Sequence, residues 1–256
     1  MTAPIFNGVG VALLTIFDSS QNLDAGATAE LASRLVDLGV RAVLVAGSTG
    51  EAAALTPTER ATLVGAVRAA LPAQVAVLAG SGAPSAPQAV HLTKVVLDAG
   101  ADAVLVLSPP QTSDARRYYE LVASAAAGTP VLAYHYPFAS PPGLPVALLA
   151  ELPVQGLKDS SGEVRRLYDE LDVLDGWLYT GSANLVLLSG ALQCAGAILA
   201  IANLRPELAI RAFEGDATAQ RQLVAAGDEA SGDWPHGLKQ AVSARFGTSA
   251  AARMGF

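Results

Sequence analysis

The 256-residue chain is 52% hydrophobic and 15% charged, enough apolar material for one large α/β domain or two small ones, and this excludes a disordered chain. Its formal net charge of −7 carries no basic cluster, so neither a nucleic acid nor an anionic membrane is expected as a partner. Cys194 is the single cysteine and His91, His135 and His236 are the only histidines, which argues against an internal disulfide and against a metal site at zinc spacing.

In chain order, the first apolar run covers residues 9–17. No Lys or Arg precedes it, the first being Arg34, so it reads as a strand rather than a signal peptide, and a cytoplasmic protein is expected. The segments 38–45 and 99–106 resemble each other: each leaves an amphipathic helix through a glycine, Gly39 or Gly100, and enters a continuous apolar run. Extending this βα repeat predicts strands over residues 9–15, 42–46, 75–79, 103–107, 131–134, 155–158, 177–180 and 197–200. Helices are predicted over 27–38, 57–70, 86–99, 115–126, 145–151, 164–171, 184–192 and 206–213, the second opened by Thr56, Pro57 and Glu59 as a capping box. Residues 179–204 carry no charge, but glycines and polar residues interrupt them where strand, turn, helix, turn and strand require.

About eight strands, each followed by a helix, is the count of an α/β closed (β/α)8 TIM barrel. An open doubly wound sheet is the alternative, weakened because no G-x-G-x-x-G follows the first strand. The expectation is a single domain over residues 1–256, with the barrel over about 5–214 and additional C-terminal helices over about 215–256, broken near Gly232–Gly237.

In such a barrel the chemistry gathers at the carboxyl ends of the strands. Three ends stand out: Gly47-Ser48-Thr49-Gly50-Glu51, Tyr134-His135-Tyr136-Pro137 and Lys158-Asp159-Ser160. A lysine in a buried strand is costly unless it pairs or loses its proton, and a neutral amine attacks ketones. The plain alternative is a pair with Asp159. Sequential barrel strands lie about 4.8 Å apart, so Tyr134 can meet Lys158 and move protons for it. The small residues Gly47–Gly50 let backbone N–H groups and hydroxyls approach a carboxylate, although the same loop also reads as an ordinary tight turn and Tyr134 as a core tyrosine.

These three stretches, in this order and spacing, resemble the G-[ST]-T-G-E, Y-[NH]-x-P and G-[IL]-K-[DE]-[ST] motifs of the dihydrodipicolinate synthase / N-acetylneuraminate lyase family. The resemblance implies Lys158 as the Schiff-base lysine and Tyr134 as the acid/base group. It implies Ser48 and Thr49, with Gly47, as the holders of a keto-acid carboxylate, Thr49 also serving the proton relay, and Ile198 as the strand-eight position near the site. It also implies a small-molecule keto acid as partner, no metal or organic cofactor, and a homodimer or homotetramer. The chain departs from the family's synthases in three places: Ser108-Pro109-Pro110-Gln111-Thr112 lacks a tyrosine, Ala139 stands where an arginine is usual, and strand seven ends in Gly181-Ser182-Ala183. Arg116 and Arg117 are the nearest basic residues to Ala139's missing charge, but they read as a solvated helix face. The expected activity is a class I lyase or aldolase acting on pyruvate or a related 2-keto acid, with a hydroxylated keto acid or sugar acid as second substrate. The alternatives are a true 4-hydroxy-tetrahydrodipicolinate synthase, a keto-deoxy sugar acid dehydratase, or a non-catalytic keto-acid-binding relative. His135 is expected to fill space behind Tyr134.

Overall fold

The computed structural model describes residues 3–112, 114–232 and 234–255. Eight parallel strands close in sequence order: β1 (Gly8–Ala12), β2 (Ala42–Val45), β3 (Ala76–Gly80), β4 (Ala103–Leu107), β5 (Val131–His135), β6 (Gly156–Asp159), β7 (Trp177–Thr180) and β8 (Gly196–Leu199). Seven helices alternate with them or follow: α1 (Ala25–Asp37), α2 (Pro57–Ala70), α3 (Ala86–Asp98), α4 (Arg116–Ala126), α5 (Val164–Val173), α6 (Val186–Ala191) and α7 (Pro206–Phe213). The chain then adds α8 (Ala217–Ser231) and α9 (His236–Phe246). This is the (β/α)8 barrel with C-terminal helices that the repeat predicts.

The strands are apolar along their whole length because both faces are covered, and their two-residue period sorts the side chains into two cores. Val43, Val45, Val77, Val104, Val106, Val131, Leu157 and Leu178 pack outward against the helices. Ala42, Leu44, Leu78, Leu105, Leu132, Tyr134, Tyr179 and Ile198 fill the barrel lumen. The helices end as their glycines require. Gly39 and Gly100 sit at φ +102° and +101°, and in both the following residue closes back on the last turn, Val40 N–H to Leu35 O at 3.2 Å and Ala101 N–H to Val96 O at 3.1 Å. The Thr56–Glu59 capping box forms, with the Glu59 N–H to Thr56 Oγ1 bond at 3.2 Å and the Thr56 N–H to Glu59 Oε2 bond at 2.9 Å.

Two expectations need correction. Residues 145–151 do not make an α-helix: Val146–Glu151 is a 3-10 helix, with Leu148 N–H bonded to Pro145 O. Pro145 and Pro153 bound a stretch too short for a stable α-helical nucleus. The first strand ends at Ala12 rather than Thr15, because the buried Asn203 side chain takes over its backbone. Asn203 Oδ1 accepts from Leu14 N–H at 3.0 Å and Nδ2 donates to Ala12 O at 2.7 Å. Among the described residues no helix is long and apolar enough to cross a membrane, and the uncharged segment resolves into β7, α6, β8 and short 3-10 turns.

The Asn203 clamp is testable. Asn203→Ala leaves a buried N–H and a buried C=O without partners, and is expected to cost about 3 kcal/mol, roughly 6–12 °C in Tm. A thermal melt shifted by less than about 2 °C would show that water replaces the amide.

Candidate active site

The strand period that fills the lumen also decides where Lys158 points. On β6, Leu157 belongs to the outer core, so Lys158 faces inward. The register sets Tyr134 opposite Lys158 on β5 and Tyr179 opposite it on β7. The Lys158 side chain is 4% exposed and its Nζ lies 4.5 Å from the centroid of the Tyr134 ring. No carboxylate stands within ion-pair distance of it among the described residues. Burial alone lowers its pKa to about 7. The alternative of a Lys158–Asp159 pair is overturned, since consecutive strand residues face opposite sides. Asp159 points outward, accepts from the Ser161 N–H and hydroxyl at 2.7 and 2.8 Å, and lies 3.8 Å from Arg166.

Tyr134 is buried, which pushes its phenol pKa up, while hydrogen bonding with the Ser160 and Ser48 side chains opposes the shift. Tyr136 stacks on it at 5.8 Å between centroids, and Phe138 meets Tyr136 edge-on. Beneath, Phe6 and Tyr179 stack at 4.6 Å, and the Tyr179 hydroxyl donates to Phe6 O, sealing the lumen floor. Ser48 and Tyr134 are therefore in contact, and Thr49 is buried beside Ser48 in the same loop. Thr15 Oγ1 donates to Gly50 O at 2.6 Å, and a side chain at Gly50 would press on Leu13 O and Thr15, so glycine is required there. Ile198 sits in the inner cluster on β8 with Tyr134 and Tyr179.

Four further residues support the site, of which Arg60 lies outside every motif above and Ser160, Gly181 and Glu51 lie within them without an assigned role. Ser160 bonds Tyr134. Gly181, at the end of β7, leaves room for the lysine: a Cβ there would lie 2.8 Å from Lys158 Cε and 1.9 Å from Ser160 Oγ. The third is Arg60 of α2, a buried guanidinium that donates to Ala46 O at 3.4 Å and Ala52 O at 2.5 Å, on either side of the Gly47–Glu51 loop, and to Gly80 O at 2.9 Å on β3. The fourth is Glu51 itself, bonded to residues far along the chain. Only the carboxylate at Glu51 hints at this in the sequence, since its partners lie nearly two hundred residues away. His135 is structural: Leu144 N–H donates to Nδ1 at 2.9 Å, the ring packs on Gly143, and burial lowers its pKa to about 4.

A cavity of about 810 Å³ lies at the barrel mouth, its lining including Ser48, Ser108, Tyr136, Phe138 and Ala139 but neither Lys158 nor Tyr134. Neither Arg116 nor Arg117 is among that lining: Arg116 pairs with Asp114 and Glu151, and Arg117 is 78% exposed beside Glu120. Among the described residues no group of three His, Cys, Asp or Glu side chains can hold a metal ion.

A parallel eightfold barrel with a lumen-facing amine at the carboxyl mouth is the framework of a barrel lyase. The chain belongs to the dihydrodipicolinate synthetase family, whose model matches residues 5–231. It is 36% identical over 217 residues to an uncharacterized DapA-like lyase of Halobacterium salinarum, covering 81% of this chain and 71% of that one. It is 33% identical over 213 residues to the 4-hydroxy-tetrahydrodipicolinate synthase of Salinibacter ruber, covering 79% and 70%. The crystal structure of dihydrodipicolinate synthase DapA-2 from Bacillus anthracis superposes with a TM-score of 0.89 over 100% of this chain and 93% of that one, at 24% identity, a likeness of fold.

Burying an unpaired lysine should weaken the fold, with a definite pH signature. Below about pH 7 the folded chain carries the charged amine out of water. Between pH 7 and the ordinary lysine value the unfolded chain binds the extra proton, so wild-type stability rises with pH. Lys158→Met is therefore expected to stabilise by about 2–4 kcal/mol below pH 7, the gain shrinking toward pH 10. Urea unfolding of both proteins at several pH values checks this, and equal stability throughout would mean that the amine is solvated.

Proposed function

We propose that the protein is a Schiff-base-forming lyase or aldolase acting on pyruvate or a related 2-oxo acid. The observation that carries this reading is the lumen-facing, uncompensated Lys158 with Tyr134 opposite it in register. A neutral Nζ attacks the C2 carbonyl to give a carbinolamine, which loses water to an iminium, with Tyr134 passing the protons through Ser48 or Ser160. The iminium then accepts the electron pair released when a C3 proton leaves or the C3–C4 bond breaks. Ser48 and Thr49 hold the carboxylate, with the close approach that Gly47 and Gly50 allow. The barrel mouth then works as one subunit of a homo-oligomer.

The second substrate follows from what the cavity offers. Dihydrodipicolinate synthesis joins pyruvate to an aldehyde that carries its own carboxylate, and Ala139 supplies no cation for it. Arg60, which reaches the cavity wall, already donates to backbone carbonyls. A lost charge-assisted hydrogen bond costs about 1.5–3 kcal/mol. The reading is therefore a hydroxylated keto acid or sugar acid, bonded by Ser48, Ser108 and the polar loops. Ser108 Oγ supports this, being buried and without a protein partner at the cavity wall.

Pyruvate with borohydride is expected to leave a reduced adduct on Lys158, with a trapping rate that rises with pH about a midpoint near 7. Lys158→Arg should abolish it, since a guanidinium stays protonated, and Tyr134→Phe should slow turnover about a hundredfold. Absence of the wild-type adduct would return the chain to the non-catalytic alternative. For the second substrate, aspartate semialdehyde is to be assayed beside 2-keto-3-deoxy sugar acids and sialic acid. A kcat/KM above about 10⁴ M⁻¹s⁻¹ for the semialdehyde would identify a true synthase and overturn the sugar-acid reading.

A further inference from the structure

Glu51 closes the Gly47–Glu51 loop in a left-handed conformation, φ 54°, that favours glycine over glutamate. Its side chain explains why a glutamate stands there. Glu51 is 1% exposed and forms an ion pair of 2.5 Å with Lys239 of α9, itself fully buried. Its second carboxylate oxygen accepts from the backbone N–H groups of Arg253 and Met254, each at 2.7 Å. Lys239 also donates to Ala251 O at 2.7 Å, so one buried lysine grips both the loop and the segment that follows α9. Phe17 lies between the Lys239 and Arg253 cations, 4.5 and 4.4 Å from its ring centroid, and pairs with Ala251. Arg253 extends the grip to Ala54 O at 3.0 Å and Glu59 at 2.7 Å, on the far side of the loop. Met254 and Trp234 then share the cavity wall with Ser48.

The loop that presents Ser48 and Thr49 is thus fixed from the outside by residues about two hundred positions away. Glu51 N–H bonds Ser48 O at 3.1 Å, so displacement of Glu51 moves the Ser48 backbone directly. Lys158 on β6 and Tyr134 on β5 bond none of Glu51, Lys239 and Arg253 among the interactions described; Tyr134 meets the loop only at Ser48. We infer that the segment after α9 is a latch on the carboxylate-binding loop, with Glu51, Lys239 and Arg253 as positioning residues that set affinity for the 2-oxo acid and leave the amine chemistry of Lys158 alone. The inference rests on the Schiff-base reading above.

The test separates binding from chemistry. Borohydride trapping with pyruvate is measured against pyruvate concentration for wild type, Lys239→Met and Arg253→Ala, with circular dichroism to verify folding. The half-saturating pyruvate concentration is expected to rise about tenfold or more, the scale of a sub-ångström misplacement, while the pH midpoint of trapping, which Lys158 sets, stays at its wild-type value. A merely structural role would lower the amount of active protein and leave half-saturation unmoved. Because Lys239→Met removes a buried cation and its fold is at risk, hydrogen exchange in the wild type supplies an independent readout. Binding linkage is reciprocal, so saturating pyruvate should slow exchange at the Arg253 and Met254 amides. Half-saturation within twofold of wild type in a folded variant, or tail amides indifferent to pyruvate, overturns the latch. A wild type that forms no adduct overturns the functional reading instead.

Discussion

Everything at the barrel mouth depends on the parity of β6. A closed parallel barrel turns every second side chain inward, and the outward packing of Leu157 leaves Lys158 no choice but the lumen. An amine there has lost its water and has no counter-ion, so its neighbours must accept it in other ways. The Tyr134 ring presents its face, Gly181 omits a side chain, and the stacked Phe6–Tyr179 pair keeps the floor dry. Each of these follows from the same register, since Tyr134 and Tyr179 are the direct neighbours of Lys158 on the flanking strands.

Among the described residues four cations lie out of water or nearly so, Arg60, Lys158 and Lys239 buried and Arg166 with 11% of its side chain exposed, and they are treated differently. Arg60 donates to carbonyl oxygens through both terminal nitrogens while its Nε has no protein partner, and burial lowers its pKa only to about 10, so it stays charged. Arg166 sits against Glu170 at 2.7 Å and near Asp159; burial, with the nearby Asp159 carboxylate adding to it, pushes Glu170 up to about 8 against the pull of Arg166. Lys239 is pulled down by burial and held up by Glu51. Burial is the only cause of the shift at Lys158, as it is at Arg60, but Lys158 has neither the carbonyl oxygens that Arg60 bonds nor an ion pair among the described residues. Burial is common to all four, so burial by itself does not mark the reactive group. What distinguishes Lys158 is burial with no bond or ion pair to hold its charge, which drives an amine toward its neutral form where the other cations serve as structural ties.

The barrel was legible in the sequence because its signals are local. Gly39 and Gly100 mark helix ends, Thr56-Pro57-Thr58-Glu59 marks a start, and continuous apolar runs mark strands covered on both faces. Of the two errors, the 3-10 turn at Val146–Glu151 has a local cause in its flanking prolines, and the other fell where a distant side chain decides the outcome. Asn203 ends β1 from 189 residues away, as its bond to Leu14 shows, and no property of residues 9–15 announces it. The site divides the same way. Lys158, Tyr134, Ser48 and Thr49 could be named because strand order places them together. Gly181, Arg60 and the Lys239–Glu51 pair could not, because their roles are clearances and long-range bonds that arise only after closure.

That division bears on which part of the chemistry belongs to the scaffold. Lys158 and Tyr134 stand on strands, where a slip of one residue would turn them out of the lumen, so their geometry is set by the same forces that close the barrel. The face that meets a second substrate is built differently. Phe138 is 83% exposed, Tyr136 bridges it to Tyr134, and Ala139 and Ser140 follow on a turn anchored by the Ser140 hydroxyl to Ser108 O at 2.6 Å. This turn contributes little to the core, so side chains along it can change without disturbing Lys158. Under the proposed function, an arginine or an alanine at position 139 would alter which second substrate is held and leave the step at Lys158 as it was. Kinship with proteins named as synthases therefore bears more strongly on what happens at Lys158 than on what is held at Ala139.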